Sequence, residues 1–346
     1  MADGVLLRVL ETTIVLMEGL LLPLEVFLLL LFKSTPLAFT TDQSAVHHFP
    51  LVTSTATMDH ASTASRRRKS DSCMEACAPE PMTSALPRLR HAMTWEEKYA
   101  LHVTQLRSNT TSMWSEPSAA PVLVRGPTYV KDSTKMPAGP SLGRLVHVDV
   151  WKGTRARPGR IDHIALVDLD RPNSILRYFQ HEHPSDKVFV LNFQVPGTPF
   201  AHVVCYWLVS SADVAQHPPF SRLWAQFQDA IHANTPAFCN AHLKLIPALV
   251  TAPWVVKAMV PQKPALVGNK LTQRYVCGPN YIEVDMDIPS STIAANIVGL
   301  CRGYSNQLDV DVHLTLQGDT EADLPEKIFA SVRLSKLDFA HAEDIL

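Results

Sequence analysis

Residues 244–289 read KLIPALVTAPWVVKAMVPQKPALVGNKLTQRYVCGPNYIEVDMDIP, and the last nine of them decide the fold class. There Tyr281, Glu283, Asp285 and Asp287 alternate with Ile282, Val284, Met286 and Ile288. A strand turns successive side chains to opposite faces. This period of two therefore predicts a strand with an apolar face for a core and an acidic face on the other side. Upstream, apolar runs broken by Pro, Gly and Asn predict a further strand or two around Trp254.

Moving outward, short apolar runs between turn residues predict strands at 122–125, 145–151, 163–168, 175–180, 187–195 and 201–210, and later at 308–316 and 329–334. Phe220, Leu223, Trp224, Phe227 and Ile231 recur at helical spacing, which predicts an amphipathic helix over 220–233 packed into the core. Ser290 or Ser291 caps a helix through about Tyr304, with Ile293, Ile297 and Leu300 facing inward. Thr94-Trp-Glu-Glu97 is a capping box that opens a helix toward Arg107, with Trp95, Tyr99, His102 and Leu106 along one side. Many strands without crossover helices favour antiparallel pairing, and the few segregated helices make the class α+β. The expected shape is a curved, mainly antiparallel sheet packed against a few helices, broadly like the START-type (helix-grip) lipid pocket.

Further signals agree in order with a known family. Lys244-Leu-Ile-Pro247, Pro253-Trp254-Val255-Val256-Lys257, Lys263-Pro264, Gly268-Asn269-Lys270-Leu271, Tyr275 and Tyr281-Ile-Glu283-Val-Asp285-Met-Asp287 with Ser290-Ser291 form one block. Trp114, Val124-Arg125-Gly126, Tyr129, Lys135 and Asn192-Phe-Gln-Val-Pro196 precede it, and Asp311 and Leu324-Pro325-Glu326 follow. Together they resemble the C-terminal domain of plant Enhanced Disease Resistance Two proteins over roughly residues 113–342. That family is known mainly as a module behind START and pleckstrin-homology domains, so the resemblance implies lipid company and no defined catalysis. The chain departs from the family pattern at Cys239 and His242, where arginines are usual, and at Ala252, Pro261 and Ala330, where glycines are usual. Loss of the two arginines removes cations beside Lys244.

The 346 residues carry a formal charge of −2 and 18% charged side chains, which gives no basic footprint for nucleic acid. Of six cysteines only Cys73 and Cys77 are close, and no second pair or histidine cluster completes a zinc site. Unpaired thiols fit a reducing compartment. There is no G-x-S-x-G elbow, P-loop or G-x-G-x-x-G, and no cofactor is expected.

Residues 5–32 form the most hydrophobic run, interrupted by Arg8, Glu11, Glu18 and Glu25. Over 12–32, fourteen Leu, Ile, Val and Phe at about −0.5 kcal/mol each roughly offset two glutamates at about +3 each, so spanning is marginal. Two readings stand: a membrane anchor that spans or lies in the interface, or a presequence or misassigned start. Residues 33–92, rich in Ser, Thr, Pro and Ala, read as a disordered linker, and 93–346 as the folded domain. Arg66-Arg-Arg-Lys69 before Ser70 is either a leaflet-binding patch weakened by phosphorylation or a solvated charge cluster.

Two constellations stand out. Glu283, Asp285 and Asp287 could meet Asp309, Asp311 and His313 if their strands pair, building a hard-cation site. The favoured reading is an acidic network compensated by Lys244, Lys257, Lys270 and Arg274, with no metal. Cations at Arg125, Lys135, Lys244, Lys257 and Lys270, with Trp254, either hold a phospholipid head group or guard strand edges. The expectation is a non-enzymatic, lipid-binding or membrane-associated regulatory protein, its domain facing the cytoplasm. The alternative is an interaction scaffold for a protein partner, without a lipid pocket.

Overall fold

The computed structural model describes residues 94–103, 113–154, 159–340 and 342–345. The hydrophobic segment 5–32, the linker, the Arg66 patch and the end of the first helix lie outside these. The strands in chain order are β1 (Trp114–Ser115), β2 (Leu123–Arg125), β3 (Lys135–Pro137), β4 (Gly143–Lys152), β5 (Lys187–Val195), β6 (Ala201–Val209), β7 (Leu243–Thr251), β8 (Ala265–Leu266), β9 (Thr272–Cys277), β10 (Tyr281–Asp287), β11 (Asp309–Leu316), β12 (Ile328–Ser335) and β13 (Glu343–Asp344). They build a five-stranded sheet β1-β12-β11-β7-β8, a six-stranded sheet β13-β4-β6-β5-β10-β9 and the hairpin β2-β3. Pairing is antiparallel except for β10 with β5 and β13 with β4, and the class is α+β, as expected.

The two large sheets face each other across one core. Val148, Phe189, Leu191, Val203, Trp207, Val284 and Met286 of the six-stranded sheet share it with Val312, Leu314, Leu316 and Val332 of the other. The Trp207 indole donates to the Ser331 carbonyl at 2.8 Å and ties the sheets together. The helix Pro218–His232 forms where the aromatic period predicts it. Its Phe220, Trp224 and Phe227 stack among Phe189, Phe329 and Tyr275. A helix-grip fold would keep that space open for a ligand; here aromatic rings fill it, and the structure does not confirm a START-like pocket.

The far face of the six-stranded sheet overturns two strand assignments. Segments 163–168 and 175–180 are not strands but parts of the helices Ala165–Asp170 and Ile175–Glu182, which cover that face with Ile164, Val167, Ile175, Leu176 and Phe179. Side-chain capping decides the matter. Ser174 Oγ accepts from Arg177 N, and the Asp168 carboxylate accepts from the amides of Ile175 and Leu176 at 3.1 and 2.9 Å. The first helix, Trp95–Val103, packs Tyr99 onto Tyr178 and Phe179. Its predicted capping box is present, with Thr94 N donating to Glu97 and Glu97 N to Thr94 Oγ1.

Around Trp254 the chain is a helix, Trp254–Met259, rather than a strand. Ser291 caps the helix Thr292–Gly303, but Ala294 and Val298 pack inward while Ile293 is exposed, so the inward face lies about one position round from the expected one.

Candidate functional site

The acidic face of β10 is covered rather than solvated. All seven residues of β10 are buried. The Glu283 carboxylate accepts the amides of Ile164 and Ala165 at 2.7 and 3.0 Å and so caps the helix Ala165–Asp170. Asp285 accepts from Asn192 Nδ2 at 2.6 Å, and Asn192 Oδ1 in turn meets His202 Nδ1 at 3.1 Å. Asp287 pairs with Arg160 at 2.6 Å and with Arg274 at 3.6 Å. Burial, and then the neighbouring Asp285, pushes the Glu283 carboxyl well above its ordinary range, although the two amides pull it back. Burial raises Asp285 to about 6 against the pull of its hydrogen bonds and Arg274. The Glu283 and Asp285 carboxyls also hydrogen-bond one another, which needs a proton held by the pair.

The expected convergence with β11 does not occur, because β10 and β11 belong to different sheets. Asp311 forms its own two-pronged pair with Arg333, at 2.6 and 2.8 Å. Of the four cations expected to compensate the acidic strand, Arg274 alone does so; Arg160 and Arg333 were missed. The sequence reading also missed Arg171, which bridges Asp149 and Asp168 inside the helical layer. Burial works against the Asp149 carboxyl, but Arg171 and His147 hold it far below the usual range. Among the described residues no group of three His, Cys, Asp or Glu side chains could hold a metal.

The cations gather on the outer face of the five-stranded sheet. Lys244 opposes Thr315 and Ile246 opposes His313, which puts them on the face of β11 turned away from the inter-sheet core. The hairpin β2-β3 lies over that face through Val124, Ala138, Ile246 and Ile328. Between the hairpin and the 263–270 segment opens a cleft of about 830 Å3, lined among the described residues by Arg125, Lys135, Lys244, Lys263 and Lys270 with a single carboxylate, Glu326. The structure thus brings together four of the six predicted residues. Trp254 and Lys257 do not line this cleft, and Lys263, within the quoted Lys263-Pro264 signal, was missed.

Glu326 is the hub at the cleft floor. Its carboxylate takes Lys244 Nζ and the amides of Arg125 and Gly318, the latter two at 3.0 and 3.2 Å. The Arg125 guanidinium donates to Gly318 O at 2.7 Å, reaches Asp319 at 3.2 Å and stacks over Tyr129. Burial lowers the Lys244 pKa; Glu326 opposes that, while Arg125 and Lys135 add to it. Arg125 and Lys135 sit directly opposite one another on the hairpin; Asp319 and Glu326, at 3.2 and 3.7 Å, compensate Arg125, while Lys135 has no carboxylate partner among the described residues. Lys135 and Lys270 are exposed, as is Lys263, and none of the three makes an ion pair among the described residues.

Cys239 and His242 do not make a thiol–base pair. Cys239 is fully buried, its thiol pushed up to about 12 by burial and pointing at Phe227 O. His242 stacks on Phe238 and hydrogen-bonds the Phe238 carbonyl.

The chain is thus a two-sheet α+β domain with a basic cleft outside its core. The sequence profile described as "Protein ENHANCED DISEASE RESISTANCE 2, C-terminal" matches residues 114–338, and the chain belongs to that family. It is 32% identical over 234 residues to "Protein ENHANCED DISEASE RESISTANCE 2-like" from Arabidopsis thaliana, an alignment covering 68% of this chain and 30% of that protein. The match therefore spans less than a third of the relative. No solved structure matches the chain. Among the described residues no helix is long and apolar enough to cross a membrane.

Proposed function

We propose that the chain is a non-enzymatic regulatory protein that binds the anionic head group of a phospholipid in the basic cleft and so holds its domain against a cytoplasmic membrane surface. Family membership suggests a plant regulatory protein. The observation that carries the finer reading is the charge balance of the cleft: five cations line it against one carboxylate, and that carboxylate already serves Lys244 and the Arg125 amide. Arg125 already pairs with Asp319 and Glu326, so a phosphate in the cleft chiefly gives the exposed Lys135, Lys263 and Lys270 a partner. The acyl chains stay in the bilayer, because the cleft lies outside the core.

The test is co-sedimentation of the full chain with phosphatidylcholine vesicles with and without phosphatidic acid, compared with the Lys135→Gln/Lys263→Gln/Lys270→Gln variant. The N-terminal segment is the same in both proteins, so the difference reports the cleft. The second reading, a scaffold for a protein partner, draws on Trp254, which is 58% exposed, with Val250 four positions earlier also exposed. Unchanged vesicle binding in the variant favours it.

A further inference from the structure

A second space lies on the opposite face of the five-stranded sheet. Val310 and Val312 alternate with Asp311 along β11 and point into the inter-sheet core. Where the helix Thr292–Gly303 meets them, an apolar crevice of about 180 Å3 remains, walled by Phe193, Val203, Val298, Val312 and Leu334 among others. Among the described residues Arg302 is the one charged side chain that lines it.

Arg302 is fixed in place without a counter-charge. Its Nη1 donates to Pro196 O at 3.1 Å and its Nη2 to Pro199 O at 2.7 Å, while the guanidinium lies 4.7 Å from the Phe339 ring centre. All these partners are neutral. No carboxylate among the described residues pairs with it, and burial alone pushes its pKa down. Gly197, at φ 142°, leaves it room, since a Cβ there would stand 2.7 Å from Nη1. Nε bonds nothing among the described residues, which leaves a donor for a further acceptor.

A half-buried cation with only neutral acceptors can take an anion, and the wall beside it is apolar. The complementary ligand has one anionic end and a hydrocarbon body. An apolar cavity of about 150 Å3 takes up benzene, so this crevice accommodates about six to eight carbons. We infer that the crevice is a second ligand site for a medium-chain aliphatic monocarboxylate, with its carboxylate on Arg302 and its chain end among Val298, Val312 and Leu334. The site is separate from the basic cleft and stands or falls independently of head-group binding.

The experiment is calorimetric titration of the full chain with octanoate, octanol and octyltrimethylammonium below their micelle concentrations. Octanoate binds at one per chain and the ammonium analogue at least about tenfold more weakly, the loss expected for one charge-assisted contact. Val298→Trp, which fills the crevice, abolishes octanoate binding, and Arg302→Gln weakens octanoate about tenfold or more while leaving octanol unchanged. Arg302 also anchors the 196–199 turn; if Arg302→Gln melts early, the Val298→Trp result and the head-group comparison in the unaltered chain still decide. Equal affinity for octanoate and the ammonium, binding that survives Val298→Trp, or loss of binding in the Lys135→Gln/Lys263→Gln/Lys270→Gln variant overturns the inference.

Discussion

Replacing Asp285 by Asn should leave the domain about as stable as the parent at pH 4 and make it more stable at pH 7.5. Asp285 rises from 3.8 to about 6 because burial disfavours its charged form. The folded state therefore holds a proton that the unfolded chain releases between about pH 4 and pH 6. The stability this proton confers is full below the unfolded value and is lost as pH climbs through about 6. Two units at about 1.4 kcal/mol each make roughly 3 kcal/mol. Glu283, raised beside it, acts in the same direction, and the two titrate as a unit.

His202 works against them. Burial lowers it to about 4, so its contribution is present above the unfolded histidine value and is lost as pH falls toward 4. His163 and His313, also lowered by burial, add to that opposing slope. The parent's stability curve is thus a near-cancellation, and the difference between variant and parent is the informative quantity. Asn keeps the size of protonated Asp and its oxygen still accepts from Asn192. Urea unfolding of both proteins, followed by tryptophan fluorescence from pH 4.5 to 8, should show a difference growing by about 2 kcal/mol toward the variant as pH rises, the remainder having been lost below pH 4.5. A difference that is flat with pH, or a variant weaker than the parent at pH 7.5, would refute the protonated-acid reading.

Three further outcomes are expected. Glu326→Ala strands Lys244 in a buried position and removes the acceptor of two amides, so stability should drop by about 3–5 kcal/mol, measured by urea unfolding at pH 7.5. Phe329→Ala should cost a similar ~3–5 kcal/mol, because Phe189, Phe220 and Trp224 all pack on that ring. Millimolar Ca2+ or Mg2+ should leave the melting temperature unchanged, since Glu283, Asp285 and Asp287 are already engaged with amides, Asn192, Arg160 and Arg274; a clear rise would reveal a cation site.

Periodicity was a sound guide to the helix Pro218–His232 and to β10, and was about one position out for the helix Thr292–Gly303. The aromatic stripe of the helix Pro218–His232 and the alternation of β10 both appear as read. What alternation does not carry is the identity of the layer on the second face. Carboxylates look solvated in a sequence, yet Glu283 and Asp285 are fully buried because helices cover them and the Glu283 carboxylate caps one of those helices. Those same helices were misread because each has fewer than nine residues, too short for a helical period to outvote apolar runs such as Ile164–Val167. Ser174 and Asp168, polar residues placed to cap, were the available signal.

The parallel pairing of β5 with β10 joins segments about ninety residues apart, and no local pattern encodes it. The cleft was partly legible because the quoted family signals supplied its cations. Trp254 and Lys257 fell away because their segment forms a helix rather than a strand, so their strand-like alternation had no face to belong to. Arg302 carried no signal at all, since its setting depends on the backbone of residues 195–199.

The claim at the centre of this account is that the cleft between the β2-β3 hairpin and Lys263–Lys270 binds an anionic head group. Vesicle binding by the full chain and by Lys135→Gln/Lys263→Gln/Lys270→Gln tests it most directly. Each lysine near an anionic surface contributes about 1 kcal/mol, so three should account for about a hundredfold in affinity for vesicles containing phosphatidic acid. That loss, with binding to neutral vesicles unchanged and melting temperature preserved, is the predicted result. Equal binding of the two proteins to the anionic vesicles would contradict the account.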